Sequence, residues 1–470
     1  MDSLNGRLPR YRKLLPVVFT LAWPTMLEET MQTAVQYVDT AMVGRLGTGA
    51  TAAVGSTTTV NWLIGTTVYA FGIGFLACIS QAIGAGDAEK ARRASAQSVL
   101  MVLLTGCLFT VLTASLSSLV PVWMQVDEAL QPMAARYFLI IYLPMLPRAA
   151  VVIFGTVLRA AGDTKTPMRV GVGVNVLNVI LNFLLIYPTR RISVLGLSFP
   201  MWGAGLGVTG AALASAVSFT FGGAAMTLAL YRHPTVSPKG FSVRPDRAVL
   251  RPIMEVAMPN MAQRFTTSLG YVVFAAMINA LGSTATAAHT VANTVESAFY
   301  IPGYGMQAAA ATLTGNAIGM RDRQRQKDLS SVIILLEIAM MLVTGGLLFA
   351  FAPDMVRLFS RDARVISLGG TVLRMVAVSE PLYGISIVVE GMLQGAGKTK
   401  APFVFNVIGM WGVRILGTFL FTRFLGGGLV AAWGCMIAHN LLLCLLFVRY
   451  YRKLERTSFY GKDSHLPGVL

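Results

Sequence analysis

The chain has 470 residues, of which 55% are hydrophobic and only 13% charged, and its mean hydropathy is +0.64. Soluble domains carry about a quarter charged residues, so this composition excludes a soluble globular protein, a disordered chain and a collagen-like repeat, and four cysteines exclude a disulfide scaffold. A formal charge of +17 would point to nucleic acid in a soluble protein; here its placement points to a membrane.

Runs of about 20 apolar residues are long enough to cross a hydrocarbon core. Twelve are predicted: 15–43, 54–82, 96–120, 137–158, 167–187, 207–231, 252–280, 287–318, 329–351, 368–393, 402–421 and 429–448. The first carries Pro24, Glu28 and Glu29 and is too long for a signal peptide, so no cleavage is expected. Cys78, Cys107, Cys435 and Cys444 sit in apolar runs without CxxC spacing and read as reduced filler. With the N-terminus inside, basic residues crowd the inner segments, as in Arg10, Arg12 and Lys13, Lys90, Arg92 and Arg93, and Arg321, Arg323, Arg325 and Lys327, while the outer loops hold few. The positive-inside rule then places both termini in the cytoplasm. The charge faces an anionic leaflet rather than nucleic acid.

A shift of 235 residues lays one half of the chain on the other. Pro24 meets Pro259, Leu46-Gly47 meets Leu281-Gly282, Ala82-Ile83-Gly84 meets Ala317-Ile318-Gly319, and Gly162 meets Gly397. Six spans per half is an even number, so both halves enter the membrane in one direction and an axis along the membrane normal relates them. The expected fold is therefore an all-α integral membrane protein of twelve transmembrane helices in two six-helix bundles related by a pseudo-two-fold axis. Its parts are an N-lobe at 1–231, a cytoplasmic linker at 232–247, a C-lobe at 248–450 and a cytoplasmic tail at 451–470.

The segment from Ala22-Trp23-Pro24 to Val38-Asp39-Thr40-Ala41-Met42-Val43-Gly44-Arg45-Leu46-Gly47 resembles the first helix of the MATE (multidrug and toxic compound extrusion) transporters. Leu158-Arg159-Ala160-Ala161-Gly162-Asp163-Thr164-Lys165 and Leu393-Gln394-Gly395-Ala396-Gly397-Lys398-Thr399-Lys400 resemble the family's loops after its fourth and tenth helices. The resemblance covers roughly residues 10 to 450. It implies a two-lobe, V-shaped exporter that couples entry of H⁺ or Na⁺ to expulsion of amphipathic organic cations and drugs.

An ionisable group at mid-bilayer costs about 2.5–3.5 kcal/mol on insertion scales, so each one is a functional candidate. Asp39 stands in the outer part of the first span, and the resemblance implies cation coupling, because an acid recurs at the matching family position. A carboxyl group taken from water can load a proton and release it on rewetting; the same oxygens also suit Na⁺. A purely structural acid is the alternative. Asn175, Asn178 and Asn182, three and four residues apart, share one face of the fifth span and are expected to meet Asp39. Several branches of the family have an aspartate where Asn182 stands; the amide cannot take a proton at neutral pH.

In the second half, Arg264, Glu296 and Glu380 fall at comparable depth and predict a charged network, with Glu390 nearer the inner end. Branches with a C-lobe Na⁺ site carry acids at the positions of Thr267 and Tyr383 here, which speaks against that site. Glu28 or Glu29 is expected to pair with Arg148, Arg414 to tie helices together, and His289 and His439 to be core residues without metal spacing. Gln36, Tyr37, Asn61, Phe274, Tyr300 and Gln307 are expected to line a loose cleft for flat cations.

No GxxxxGK[ST], HExxH or GxSxG motif is present. The expected protein is a secondary antiporter, not an enzyme, without cofactor or metal beyond its coupling ion, H⁺ or Na⁺. It is expected as a monomer in the plasma membrane that meets lipid and small amphipathic cations but no nucleic acid. The alternatives are a lipid-linked saccharide flippase of the same superfamily, which calls for a more cationic cavity than Arg148, Arg264, Arg374 and Arg414 supply, and a membrane-embedded enzyme.

Overall fold

Apolar runs rich in Leu, Val and Ala become helices, several of them longer than a bilayer requires. The computed structural model describes residues 8–194 and 197–457, without the side chains at 8, 9, 56, 58, 59, 61, 62, 192–194, 197–199 and 457. The first half contains α1 (Leu8–Gly44), α2 (Thr48–Gly84), α3 (Ala88–Leu116), the short α4 (Leu119–Trp123), α5 (Gln131–Tyr142), α6 (Met145–Ala160), α7 (Lys165–Leu185) and α8 (Gly207–Arg232). The second contains α9 (Arg247–Asn279), α10 (Ser283–Gly319), α11 (Arg323–Arg357), α12 (Ala363–Gly395), α13 (Lys400–Val407), a π-helical stretch (Ile408–Ile415), α14 (Leu416–Phe424) and α15 (Leu429–Thr457).

Among the described residues, eight helices are long and apolar enough to cross a membrane, or nine with α5 and α6 taken as one bent span. α1, α9 and α10 fall outside that count; α1 carries Glu28 and Glu29, and α9 carries Glu255 and Arg264. Three departures from the expected spans have local causes. Span 137–158 is broken, because Leu143 and Pro144 part α5 from α6 with a bend of 49° and proline removes a backbone donor. A hairpin, β1 (Pro188–Val194) paired antiparallel with β2 (Leu197–Ala204), follows α7 where only a loop was expected. Span 402–421 contains the π-helical stretch.

The repeat is written in the helix ends. α2 and α10 start and stop 235 residues apart at both ends. Gly47 (φ 114°) and Gly282 (φ 102°) precede them, and Gly162 (φ 85°) and Gly397 (φ 71°) make matching turns with a positive φ that glycine adopts freely. Arg321 takes φ 55° where the first half has Gly86. Asp87 and Asp322 cap α3 and α11 alike, accepting from Lys90 N at 2.9 Å and Arg325 N at 2.8 Å.

The halves interlock at the end that carries the basic residues. Val18 of α1 is buried in the second half's core, and its repeat partner Ile253 of α9 is buried in the first half's. At the same end, α2 and α10 touch through Gly84 against Asn316, Gly319 against Gln81, and Gly315 against Ser80, backbone on backbone in the first two pairs. Gln81 Nε2 also donates to Gly395 O at 2.9 Å. Towards the opposite end Tyr37 and Val38 are exposed. The stretch between α8 and α9 lies along α3, where Arg92 Nη2 donates to Pro234 O at 2.7 Å and Gln97 Nε2 to Arg244 O at 2.9 Å. α15 runs on to Thr457, into the region expected as a tail; residues 458–470 lie outside the described residues.

Candidate functional site

Asp39 occupies the last turns of α1, where α7 packs beside it. Because α7 brings round the same face every three to four residues, Asn178 and Asn182 both reach the acid. Asn182 Nδ2 donates to Asp39 Oδ1 at 2.6 Å and touches the Asn178 amide at 3.0 Å. With its nitrogen turned to the acid, the Asn178 amide donates to Asp39 Oδ1 at 2.9 Å, lies 3.2 Å from Oδ2, and accepts from Ser215 Oγ of α8 at 3.1 Å. Asn178 and Asn182 are buried, and Asn182 Oδ1 has no hydrogen-bond partner. Among the described residues no lysine or arginine forms an ion pair with Asp39. Tyr187 Oη donates to Met42 O at 2.8 Å and fixes the end of α1. Asn175, one turn earlier on α7, is half-buried and takes no part in these hydrogen bonds. Ser215 was not anticipated; its only signal is a hydroxyl within the Ala-rich run of α8.

An acid held by two amides, one of them backed by a hydroxyl, can exist neutral or charged. Asp39 as a carboxylate takes the NH₂ end of Asn178, and as a carboxylic acid it can donate to the carbonyl end, with Ser215 serving either orientation because a hydroxyl both donates and accepts. That is the chemistry of a reversible proton or cation site.

The other expected groupings are rearranged. Glu28 pairs with Arg159 of α6 at 2.6 Å, both nearly buried, and not with Arg148. Arg148 instead lies over the rings of Phe219 (4.8 Å) and Tyr142 (5.3 Å), a cation–π arrangement that sequence spacing does not reveal. Arg264 leaves the expected network with Glu296 and Glu380. It stacks on Tyr69 of the first half at 4.4 Å, and its Nε donates to Asn260 Oδ1 at 3.1 Å. Glu296 lies within electrostatic reach of Arg414 instead, and Glu380 within that of Glu296 and of Glu337 of α11, which sequence reasoning passed over because Glu337 is a single acid in an apolar run. Arg414 stacks on Phe274 at 4.2 Å and Tyr271 at 5.0 Å. Glu390 is held by Gln263 (2.8 Å) and Gln394 (3.2 Å).

Of the expected cleft residues, Gln36 and Tyr37 are exposed, and Tyr37 Oη meets Ser297 Oγ of α10 at 3.2 Å. Tyr300 stands edge-on to Tyr383 (5.4 Å) and Tyr304 (6.0 Å), whose hydroxyls are 3.0 Å apart. Phe274 and Gln307 do not line a cleft: Phe274 is packed between Arg414 and His289, and Gln307 against Gly391 of α12. Asn61's side chain lies outside the described residues. His289 accepts from Trp433 Nε1 at 3.2 Å, and His439 is buried against Gly409. No group of metal-ligating side chains occurs among the described residues.

Long apolar helices around a half-buried, hydrogen-bonded acid define a multi-pass membrane protein. The MatE family model matches residues 24–184 and 259–420, one stretch in each half, and the chain belongs to this family of membrane transporters. The chain is 27% identical over 444 residues to the probable multidrug resistance protein NorM of Thermotoga maritima, covering 94% of this chain and 93% of that one. It is 24% identical to the uncharacterized transporter YisQ of Bacillus subtilis, over 93% of each. Among solved structures, MATE in its straight conformation matches with a TM-score of 0.86, at 22% identity over 94% of this chain and 96% of that chain. A MOP superfamily transporter from Pyrococcus furiosus matches at 0.85 with the same identity and coverage.

Proposed function

We propose that the protein is a secondary active antiporter that exports amphipathic organic cations and drugs across the plasma membrane in exchange for H⁺, with both termini cytoplasmic. In this reading α1, α9 and α10 also cross the membrane, making twelve helices in two bundles that rock about the line between them to give alternating access. The observation that carries it is Asp39 near the end of α1, which is held by Asn182 at 2.6 Å and has no ion-pair partner among the described residues. A cationic substrate that approaches such an acid favours its charged form and expels the proton. The multidrug resistance description of the Thermotoga relative supports the substrate class. Exposed tyrosines at the meeting of the halves suit flat cations. Na⁺ is the second reading, favoured by the Asp39 carboxylate and the unpartnered Asn182 Oδ1, hard oxygen donors on adjoining side chains, which would need the Asn182 amide to turn.

The test is efflux of a fluorescent cationic dye from proteoliposomes under an imposed pH gradient and, separately, a Na⁺ gradient. Transport that follows the pH gradient and is lost in Asp39→Asn is expected. Transport that follows only Na⁺ selects the second reading. No dye movement under either gradient overturns the drug exporter and brings forward the lipid-linked flippase.

A further inference from the structure

Glu337 of α11 and Glu380 of α12 are 0% and 1% exposed, and none of their four carboxyl oxygens has a hydrogen-bond partner in the protein. Glycines make room for them. A Cβ at Gly303 would stand 2.8 Å from Glu337 Oε1, one at Gly384 2.9 Å from the same atom, and one at Gly345 3.3 Å from Glu380 Cβ. Glu337 Oε1 reaches Gly384, four residues from Glu380 on α12, while Glu380 Cβ meets Gly345, eight residues from Glu337 on α11, so the acids are offset by one to two helical turns, about 6–12 Å of rise. Glu380 is also within electrostatic reach of Glu296.

The elements packed around the pair bring little countercharge. α10 contributes Glu296 and Tyr300, and α9 contributes Tyr271 and Phe274. The π-helical stretch contributes Arg414, which stacks on Phe274 and Tyr271 and lies within electrostatic reach of Glu296, His289 and His439. α12 adds Tyr383 beside Tyr300, and α1 and α15 meet α11 and α12 through Val18, Ala22, Leu443 and Phe447. One guanidinium cannot neutralise three buried carboxylates, and an unpaired carboxylate buried away from water costs several kcal/mol or more, so it takes a proton instead. We propose that Glu337 and Glu380, with Glu296 at the edge, form a second proton-binding site in the second half, separate from Asp39. Its use in transport rests on the H⁺-antiport reading; the site itself does not. When the halves rock and the cluster is wetted, its protons can leave, adding to the one carried by Asp39.

The test is infrared spectroscopy of the purified protein in lipid, titrated from acidic to alkaline pH, following the C=O band of protonated carboxyl groups. Wild type, Glu337→Gln, Glu380→Gln and Asp39→Asn are compared, each checked for monodisperse elution, and Glu380→Asp stands in if a glutamine variant does not fold. Each glutamine variant is expected to lose its own share of a band that titrates, and to move the titration midpoint of the other acid. Asp39→Asn is expected to leave that share in place. An unchanged band in both glutamine variants overturns the proposal, as does a share that vanishes in them but never titrates in the wild type. Because no transport is measured, a protein that moves no dye yet shows these losses sinks the antiporter reading and leaves the second site standing.

Discussion

The two halves share a scaffold and differ in what they place on it. Asp39 and Phe274 hold the same repeat position near the end of the first helix of each half. Asp39 meets the amides of α7; Phe274 is buried under the guanidinium of Arg414, on the helix that corresponds to α7. Lower down, Glu28 and Arg159 form an ion pair where Gln263 and Gln394 share the Glu390 carboxylate. Turns, caps and helix ends repeat because they set where helices start and stop. The buried polar groups do not repeat, and they give each half its own chemistry.

The largest expected effect is on coupling. Asp39→Asn keeps the shape of the site but removes its proton, and gradient-driven dye efflux should fall to the level of empty liposomes, whereas Phe274→Leu, at the same position of the other half, should leave efflux measurable. Equal loss in both would break the comparison. The basal ties come next. Removing one partner of a buried ion pair costs about 3–5 kcal/mol, so Arg159→Met should lower the detergent melting temperature strongly and Glu28→Gln/Arg159→Met should regain much of it. Gln394→Leu removes one hydrogen bond to a carboxylate, worth about 1.5–3 kcal/mol, and should cost less than Arg159→Met. Third, Gly84→Ala and Gly319→Ala drive a methyl into the backbone of the opposite half, an overpacking of about 1–3 kcal/mol. As repeat partners they should shift the melting temperature alike; a shift in only one would mean that the halves do not meet symmetrically.

The smallest effect is in the connection between the halves. His233 Nδ1 accepts the backbone N–H of Thr235 at 3.3 Å and of Val236 at 3.4 Å, which needs the neutral ring, and burial pushes its pKa below the ordinary histidine value against the pull of Asp163. The folded protein therefore binds this proton less readily than the unfolded chain. Its contribution to stability is complete above the ordinary histidine pKa and is lost as pH falls through that value towards the lowered one. Limited proteolysis within 233–246 should quicken on acidification in the wild type, and His233→Ala should cleave at a rate independent of pH.

Much of the architecture was legible because it is written in local signals. Glycine turns, aspartate caps and apolar runs recur 235 residues apart, and Asp39, Asn178 and Asn182 came together as their helical spacing implied. What was not legible depended on packing between distant helices. Arg148 finds aromatic faces and Glu28 finds Arg159, because partner choice among several arginines at similar depth is set by helix rotation, which spacing alone does not fix. Glu337 is a single acid in an apolar run, and only burial beside Glu380 gives it meaning. Phe274 and Gln307 carry side chains suited to a cleft, but Phe274 is turned to the π-helical stretch and Gln307 to α12. The π-helical stretch itself holds Gly409 and Gly412 but no proline, and glycines as close together occur within the ordinary helix α8 at Gly222 and Gly223.

The most direct test of the central claim, that a cationic substrate and a proton compete at Asp39, is proton release on substrate addition. A pH indicator in weakly buffered detergent solution, with purified protein and a cationic dye, reads it without any gradient. The account predicts release in the wild type and none in Asp39→Asn at dye concentrations that still bind. Release of the same size in Asp39→Asn would contradict it.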